Sequence, residues 1–212
     1  EMLNPFEGSG IDTRWELRMP KAANPFDYDT IADVFVTVDY TALHSYDYER
    51  QVLKEQDRSA TGDRAFSFRH EFADVWYDLH NPDLTDTPMT VRFETRRQDF
   101  PPNIEDLHIQ QVVLFFSRTE GASFEVPVTH LHFTEQDSAG TVGGGGTSIG
   151  GVISTRRGNA GSWMSITGKS PIGDWELALP NTEDIRNLFK NEEIEDMLFV
   201  VSYSGRTPAW PA

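Results

Sequence analysis

In Ile31-Ala-Asp-Val-Phe-Val-Thr-Val-Asp-Tyr-Thr41, Val34, Val36, Val38 and Tyr40 fall at every second position and share one face. β-Branched and aromatic residues fill most of the stretch, so the pattern predicts a buried strand. The pattern returns near the C-terminus in Ile194-Glu-Asp-Met-Leu-Phe-Val-Val-Ser-Tyr-Ser204. A third copy of its opening, Ile104-Glu-Asp-Leu107, begins an apolar run that ends at Phe116. Upstream, Trp15-Glu-Leu-Arg-Met-Pro20 precedes the first copy as Trp175-Glu-Leu-Ala-Leu-Pro180 precedes the last. The chain thus opens and closes on one repeated unit: an aromatic-anchored strand stopped by proline, a connector, then a long buried strand.

Between these ends, residues 46–56 predict a short polar helix, and 60–64 read as a turn. Phe68, Phe72, Val75, Trp76 and Leu79 form one apolar stripe at helical spacing, predicting a helix over about 69–80 that ends at Asn81-Pro82. Met89, Val91 and Phe93 alternate with polar residues as a two-faced strand. Leu107 to Phe116 reads as a long central strand covered on both sides. Phe124, Val126 and Val128 alternate before the parity slips to Leu131 and Phe133, which predicts a bulge or break near Thr129. Pro127 in that run argues for an edge strand.

Residues 137–161 are rich in glycine, with four in a row from Gly143 to Gly146, and are expected to form a long mobile loop with a short strand at Val152-Ile153. Short strands follow at 162–166 and 175–179. A short helix follows over about 183–190, with Thr182 or Asn181 as its cap, and a closing strand over 197–203. The fold class expected is all-β: a two-layer antiparallel sandwich, jelly-roll-like, with one or two short helices and a long glycine-rich loop. It is expected as one domain over 1–212, with its core at about 11–204 and a loose tail at 205–212.

Composition narrows the function. Among the 212 residues, 25 aromatics supply bulk for a core, and the absence of cysteine excludes disulfides and thiolate metal sites. No apolar run approaches the roughly 20 residues of a membrane-spanning helix, and the start lacks the basic and apolar regions of a signal peptide. The chain is therefore expected to be a piece of a larger protein. The formal net charge is −16, from 34 acidic and 18 basic residues, which disfavours nucleic acid and anionic membranes as partners.

Candidate chemistry is sparse. His130-Leu-His132 places two imidazoles on one face of a strand; with a third ligand they could hold zinc, Glu135 being the nearest carboxylate. A cupin-like site would also want a glycine-rich frame, which is missing, and the plainer reading is the polar face of an edge strand. His70-Glu71 lacks the second His of a zincin helix. Asp27, Asp29, Asp83 and Asp86 could bind calcium in loops but have no EF-hand spacing, and Asp is common in turns for its own reasons. No nucleophile elbow, P-loop or Rossmann fingerprint is present, although spatially paired glycosidase carboxylates leave no sequence trace. The residues therefore predict no catalytic site, metal or cofactor.

Taken together, Pro5-Phe-Glu-Gly8, Trp15-Glu-Leu17, Phe26-Asp-Tyr-Asp-Thr-Ile-Ala-Asp-Val34 and Asp39-Tyr-Thr41 look like the C-terminal domain of the A subunit of bacterial Tc (toxin complex) insecticidal toxins. The likeness continues in Phe66-Ser-Phe-Arg-His-Glu-Phe72 with Trp76, Val112-Val-Leu-Phe115, Gly173-Asp-Trp-Glu-Leu177 and Glu195-Asp-Met-Leu-Phe-Val-Val-Ser-Tyr203, so it touches about 5–204. The glycine content of 137–161 and the polarity of 44–64 depart from it. The resemblance implies a non-catalytic β-sandwich that docks the toxin B subunit, a pentameric and secreted parent protein, and no membrane contact by this domain. The family's contact surface has no short motif, so the partner-binding residues stay unassigned. The alternative function is a carbohydrate- or receptor-binding sandwich, with Tyr46, Tyr48 and Trp163 as its sugar platform.

Overall fold

The structure, a computed structural model, describes residues 14–25, 27–38, 40, 45–84 and 89–209. The chain divides into two compact units, Glu1–Lys54 and Glu55–Ala212.

In the first unit the described residues form two 3-10 turns, Lys21–Ala23 and Tyr28–Thr30, and the expected polar helix, α1 (Tyr46–Glu55). The expected strands at 15–19 and 31–41 are not strands: neither described stretch joins a β-ladder, and residues 39 and 41 lie outside the described residues. Val34, Phe35, Val36 and Val38 are exposed, Phe35 by 87%. Alternation states which side chains share a face. It does not supply the neighbouring strand whose hydrogen bonds make that face part of a sheet.

Among the described residues, the second unit holds eight antiparallel strands: β1 (Ser59–Ser67), β2 (Met89–Thr95), β3 (Glu105–Arg118), β4 (Pro127–Glu135), β5 (Thr141–Thr147), β6 (Val152–Ser154), β7 (Gly173–Leu179) and β8 (Ile194–Arg206). They form two sheets, β1-β8-β3-β6 and β2-β7-β4-β5. Successive strands alternate between the sheets except at β4–β5, as in an eight-stranded jelly roll. The inner faces meet in one core, where the Phe199 ring of the first sheet lies 4.7 Å from Trp175 and 5.3 Å from Phe93 of the second. The class expected from the sequence, an all-β sandwich with few short helices, is the observed one.

The apolar stripe of the 69–80 segment is real but lies on two helices, α2 (Phe68–Glu71) and α3 (Ala73–His80). Phe72 leaves helical geometry between them, and its ring stacks on Phe66 at 5.6 Å. α4 (Glu183–Lys190) is capped by Thr182, whose hydroxyl accepts from the Ile185 N–H, and buries Ile185 and Phe189 one turn apart. β3 and β8 are the long interior pair of their sheet. On β3, Val112, Leu114 and Phe116 are buried, while Val113 and Phe115 on the other face are only half-buried, so the strand is fully covered on one side rather than two.

Glycines account for two departures. Residues 60–64, which read as a turn, run through the middle of β1 in unbroken register with β8. A Cβ on Gly62 would stand 2.6 Å from the Tyr203 hydroxyl, so glycine there admits an aromatic ring. The run Gly143–Gly146 is not a loop but most of β5, paired with β4. The segment expected as a strand at 162–166 is a 3-10 turn (Gly161–Ile166) laid against β5. Trp163 Nε1–H donates to Gly144 O at 2.7 Å and Ser162 Oγ donates to Gly145 O at 2.8 Å. A Cβ on Gly143 would meet Leu131 O at 2.0 Å, and one on Gly146 would meet Asn159 O at 2.9 Å. The glycines permit close backbone approach, and the turn that covers them repays their ordering.

Where β5 leads into β6, Glu125 ties the connection. Its carboxylate accepts from the buried Ser148 hydroxyl and from the N–H groups of Gly150 (2.8 Å) and Gly151 (3.4 Å). The Ser148 and Gly150 hydrogen bonds, aided by Gly151 and the nearby Arg118 charge, hold its pKa below the ordinary 4.5.

Gly143→Ala combines a backbone clash with φ +125°, and urea titration should show a loss of about 2–3 kcal/mol. Gly161→Ala, with open space around its Cβ, should stay within about 0.5 kcal/mol. Because the Glu125 pKa is depressed on folding, its stabilisation is complete above 4.5 and fades as pH falls through the folded value. Glu125→Gln should therefore melt lower than the parent at pH 7, and the gap should narrow in thermal scans below pH 4.

Candidate functional site

Core packing of Leu131 and Phe133 on β4, and of Trp175 and Leu177 on β7, turns the residues between them to the outer face of their sheet. The register then lays Arg92 of β2 beside Glu176 of β7, Glu176 beside His132 of β4, and His132 beside Gly143 of β5. His130 stands two residues before His132 on the same face. Its placement depends on the predicted irregularity: the β4–β5 register shifts between Val128 and Leu131, bracketing Thr129. β4 itself is not an edge strand. It lies between β7 and β5, and Pro127 is tolerated as its first residue.

The two imidazole rings stack at 4.1 Å with 13° between their planes. Both face one oxygen of Glu176: His130 Nε2 is 3.0 Å from Oε1 and His132 Nδ1 is 3.8 Å from it. The other oxygen, Oε2, accepts from Arg92 Nε at 2.9 Å and lies 2.8 Å from Nη2. Burial pushes the Glu176 carboxyl up, but the hydrogen bonds and charges of Arg92 and His130 outweigh it, so the pKa sits below its ordinary value. Among the described residues this is the one group of three whose donor atoms lie within 4.8 Å of one another in a metal-holding arrangement. His132, Glu176 and Arg92 also border an open groove of about 1110 Å³, whose lining includes Glu71, Asp74 and Asp99.

Other sequence candidates disperse. Glu135 does not join the histidines; it accepts from Ser170 N–H at 2.7 Å and lies 3.5 Å from Lys169 Nζ. Glu71 pairs with Arg64, and the His70 backbone N–H donates to Ser67 Oγ. Asp27 accepts from Asp29 N–H as a local cap, Asp83 sits in the 3-10 turn Pro82–Leu84, and Asp86 lies outside the described residues. Of the proposed sugar platform, Tyr46 and Tyr48 are exposed on α1, whereas Trp163 is fully buried and cannot stack on a ligand. Glu176 is the residue that sequence reasoning missed. The alternation of Trp175-Glu-Leu177 gives its outward face, but only the register gives its neighbour.

Among the described residues, no helix is long and apolar enough to cross a membrane. A search of curated proteins finds no match. Among solved structures, the chain is similar to the cryo-EM structure of Yersinia pseudotuberculosis TcaA-TcaB, with 16% identity and a TM-score of 0.48, covering 75% of this chain and 10% of that one. It is also similar to the cryo-EM structure of Morganella morganii TcdA4, with 12% identity and a TM-score of 0.42, covering 75% and 8%. The chain thus spans about a tenth or less of the length of these structures. Over residues 1–42 the sequence matches the family model of the Tc toxin complex TcA C-terminal TcB-binding domain, the same family that its motifs resemble.

Proposed function

We propose that the chain is the non-catalytic docking domain of a Tc-type toxin A subunit and that it binds the toxin B subunit as the holotoxin assembles. The family match over residues 1–42 carries this reading. The exposed apolar side chains of Val34, Phe35 and Val36 lie inside that span and suit a protein partner rather than a charged polymer. The net charge of −16 points the same way, since it opposes phosphate backbones and anionic lipid. On this reading the domain acts outside the producing cell, within a larger pentameric subunit whose other parts meet the membrane. Burial of Trp163 removes the indole from the proposed sugar platform and leaves only its two tyrosines exposed.

The test is biolayer interferometry of the full chain against a Tc toxin B subunit. Saturable binding is expected, weakened at least ~10-fold by the double substitution Phe35→Asp, Val36→Asp at the centre of the exposed segment. The circular dichroism and melting of the variant should be unchanged. A flat response to the B subunit, together with a clear glycan-array hit, would overturn the docking role.

A further inference from the structure

We propose that His130, His132 and Glu176 form a binding site for a first-row divalent transition ion of the zinc type on the outer face of the β2-β7-β4-β5 sheet. Two imidazole nitrogens and one carboxylate oxygen converge there. That donor set suits zinc, nickel, copper or cobalt, whereas calcium and magnesium take oxygen ligands. His130 offers Nε2, His132 offers Nδ1 and Glu176 offers Oε1. Ligand atoms bonded at about 2.1 Å around one tetrahedral ion stand roughly 3.4 Å apart. The observed 3.0 and 3.8 Å from Glu176 Oε1 to the two nitrogens bracket that value; the rings stack with 13° between their planes, so capture turns one imidazole about its side-chain bonds to aim its lone pair at the shared ion.

Three features distinguish the cluster from a chance polar patch. Arg92 occupies Oε2, which aims Oε1 at the histidines and leaves the carboxylate to bind through one oxygen, as an outer hydrogen bond commonly does for a metal ligand. β4 and β7 are interior strands of their sheet, and their opposite faces are locked by buried Leu131, Phe133, Trp175 and Leu177, so the ligands stand on rigid backbone. Gly143 pairs with His132 on its far flank and has no side chain to cover the ring. The three ligand side chains keep 20%, 37% and 31% of their exposure, enough for an ion to enter from solvent. The remaining coordination positions face outward, where His132 and Glu176 border the groove, and are open to water or to a donor from a bound molecule.

The experiment uses the full chain with any affinity tag removed, stripped with chelator and titrated with Zn²⁺ by calorimetry and with Co²⁺ by visible absorption. One ion per chain is expected, with Co²⁺ displaced by Zn²⁺ and no heat from Ca²⁺ or Mg²⁺. His130→Ala, His132→Ala and Glu176→Gln should each weaken Zn²⁺ binding at least ~10-fold. His70→Ala, away from the cluster, should leave it unchanged. X-ray absorption at the zinc edge of the unsubstituted protein should show two imidazoles and an oxygen at about 2.0–2.2 Å, which keeps the test open if a variant fails to fold. Absence of saturable Zn²⁺ binding, or binding that the three substitutions leave intact, would overturn the site. Neither result touches the docking role, which is read by a different assay on different residues.

Discussion

The sandwich depends on an aromatic layer centred on Trp175. The Trp175 indole lies 4.2 Å from Phe133, 6.2 Å from Phe93 and 4.7 Å from Phe199, so it links three strands across both sheets. Each such pair adds about 0.5–1.5 kcal/mol beyond its burial. The polar edge of the indole is also satisfied. Nε1–H donates to the Thr95 hydroxyl at 2.9 Å, and that hydroxyl in turn donates to Pro171 O. Among the described residues no buried side-chain polar atom lacks a partner, so the packing carries no desolvation debt at its centre. With Trp175 fixed inward, Glu176 must face outward, and the same rule on β4 sends His130 and His132 to meet it. The outer-face cluster is thus a consequence of the inner-face packing.

That dependence shows why sequence reading succeeded where it did. Met89–Phe93 alternates cleanly, and Trp175-Glu-Leu177 does so before Ala178 and Leu179 are both buried; each has a buried partner to receive its apolar face, so pattern and structure agree there. The slip of parity after Val128 was legible because a register shift forces it. The echo between 31–41 and 194–204 marks the limit. Both stretches carry the same alternation, yet 194–204 lies in the interior of a sheet, between β1 and β3, and the described part of 31–41 joins no ladder. Side-chain periodicity is local. Strand formation also needs hydrogen-bond partners that are remote in sequence.

Glycine departs from its sequence expectation for a related reason. From sequence, 60–64 reads as a turn and Gly143–Gly146 as a mobile stretch, since an ordered glycine loses the most conformational entropy. In the folded chain each site instead admits a neighbour that a Cβ would exclude: the Tyr203 ring, the β4 backbone, Ser162 or the chain at Asn159. Composition counts the entropy cost and cannot see the compensating contact. The sequence does contain the compensating residues, in Ser162-Trp-Met-Ser-Ile166. Their periodicity over five residues cannot separate a strand from a 3-10 turn.

The candidate site divides along the same line. The histidines were visible because ligands two residues apart on a strand share a face by geometry alone. Sequence proximity points to a carboxylate on the same strand, at Glu135. Glu135 lies on β4, but it faces Ser170 and Lys169, and the ligand comes from β7, 44 positions further along the chain than His132. A site built across a sheet draws its members from separate strands, each oriented by its own core residues. Its residue types can be listed from a sequence, but its membership follows only from register, and the aromatic layer beneath is what sets that register here.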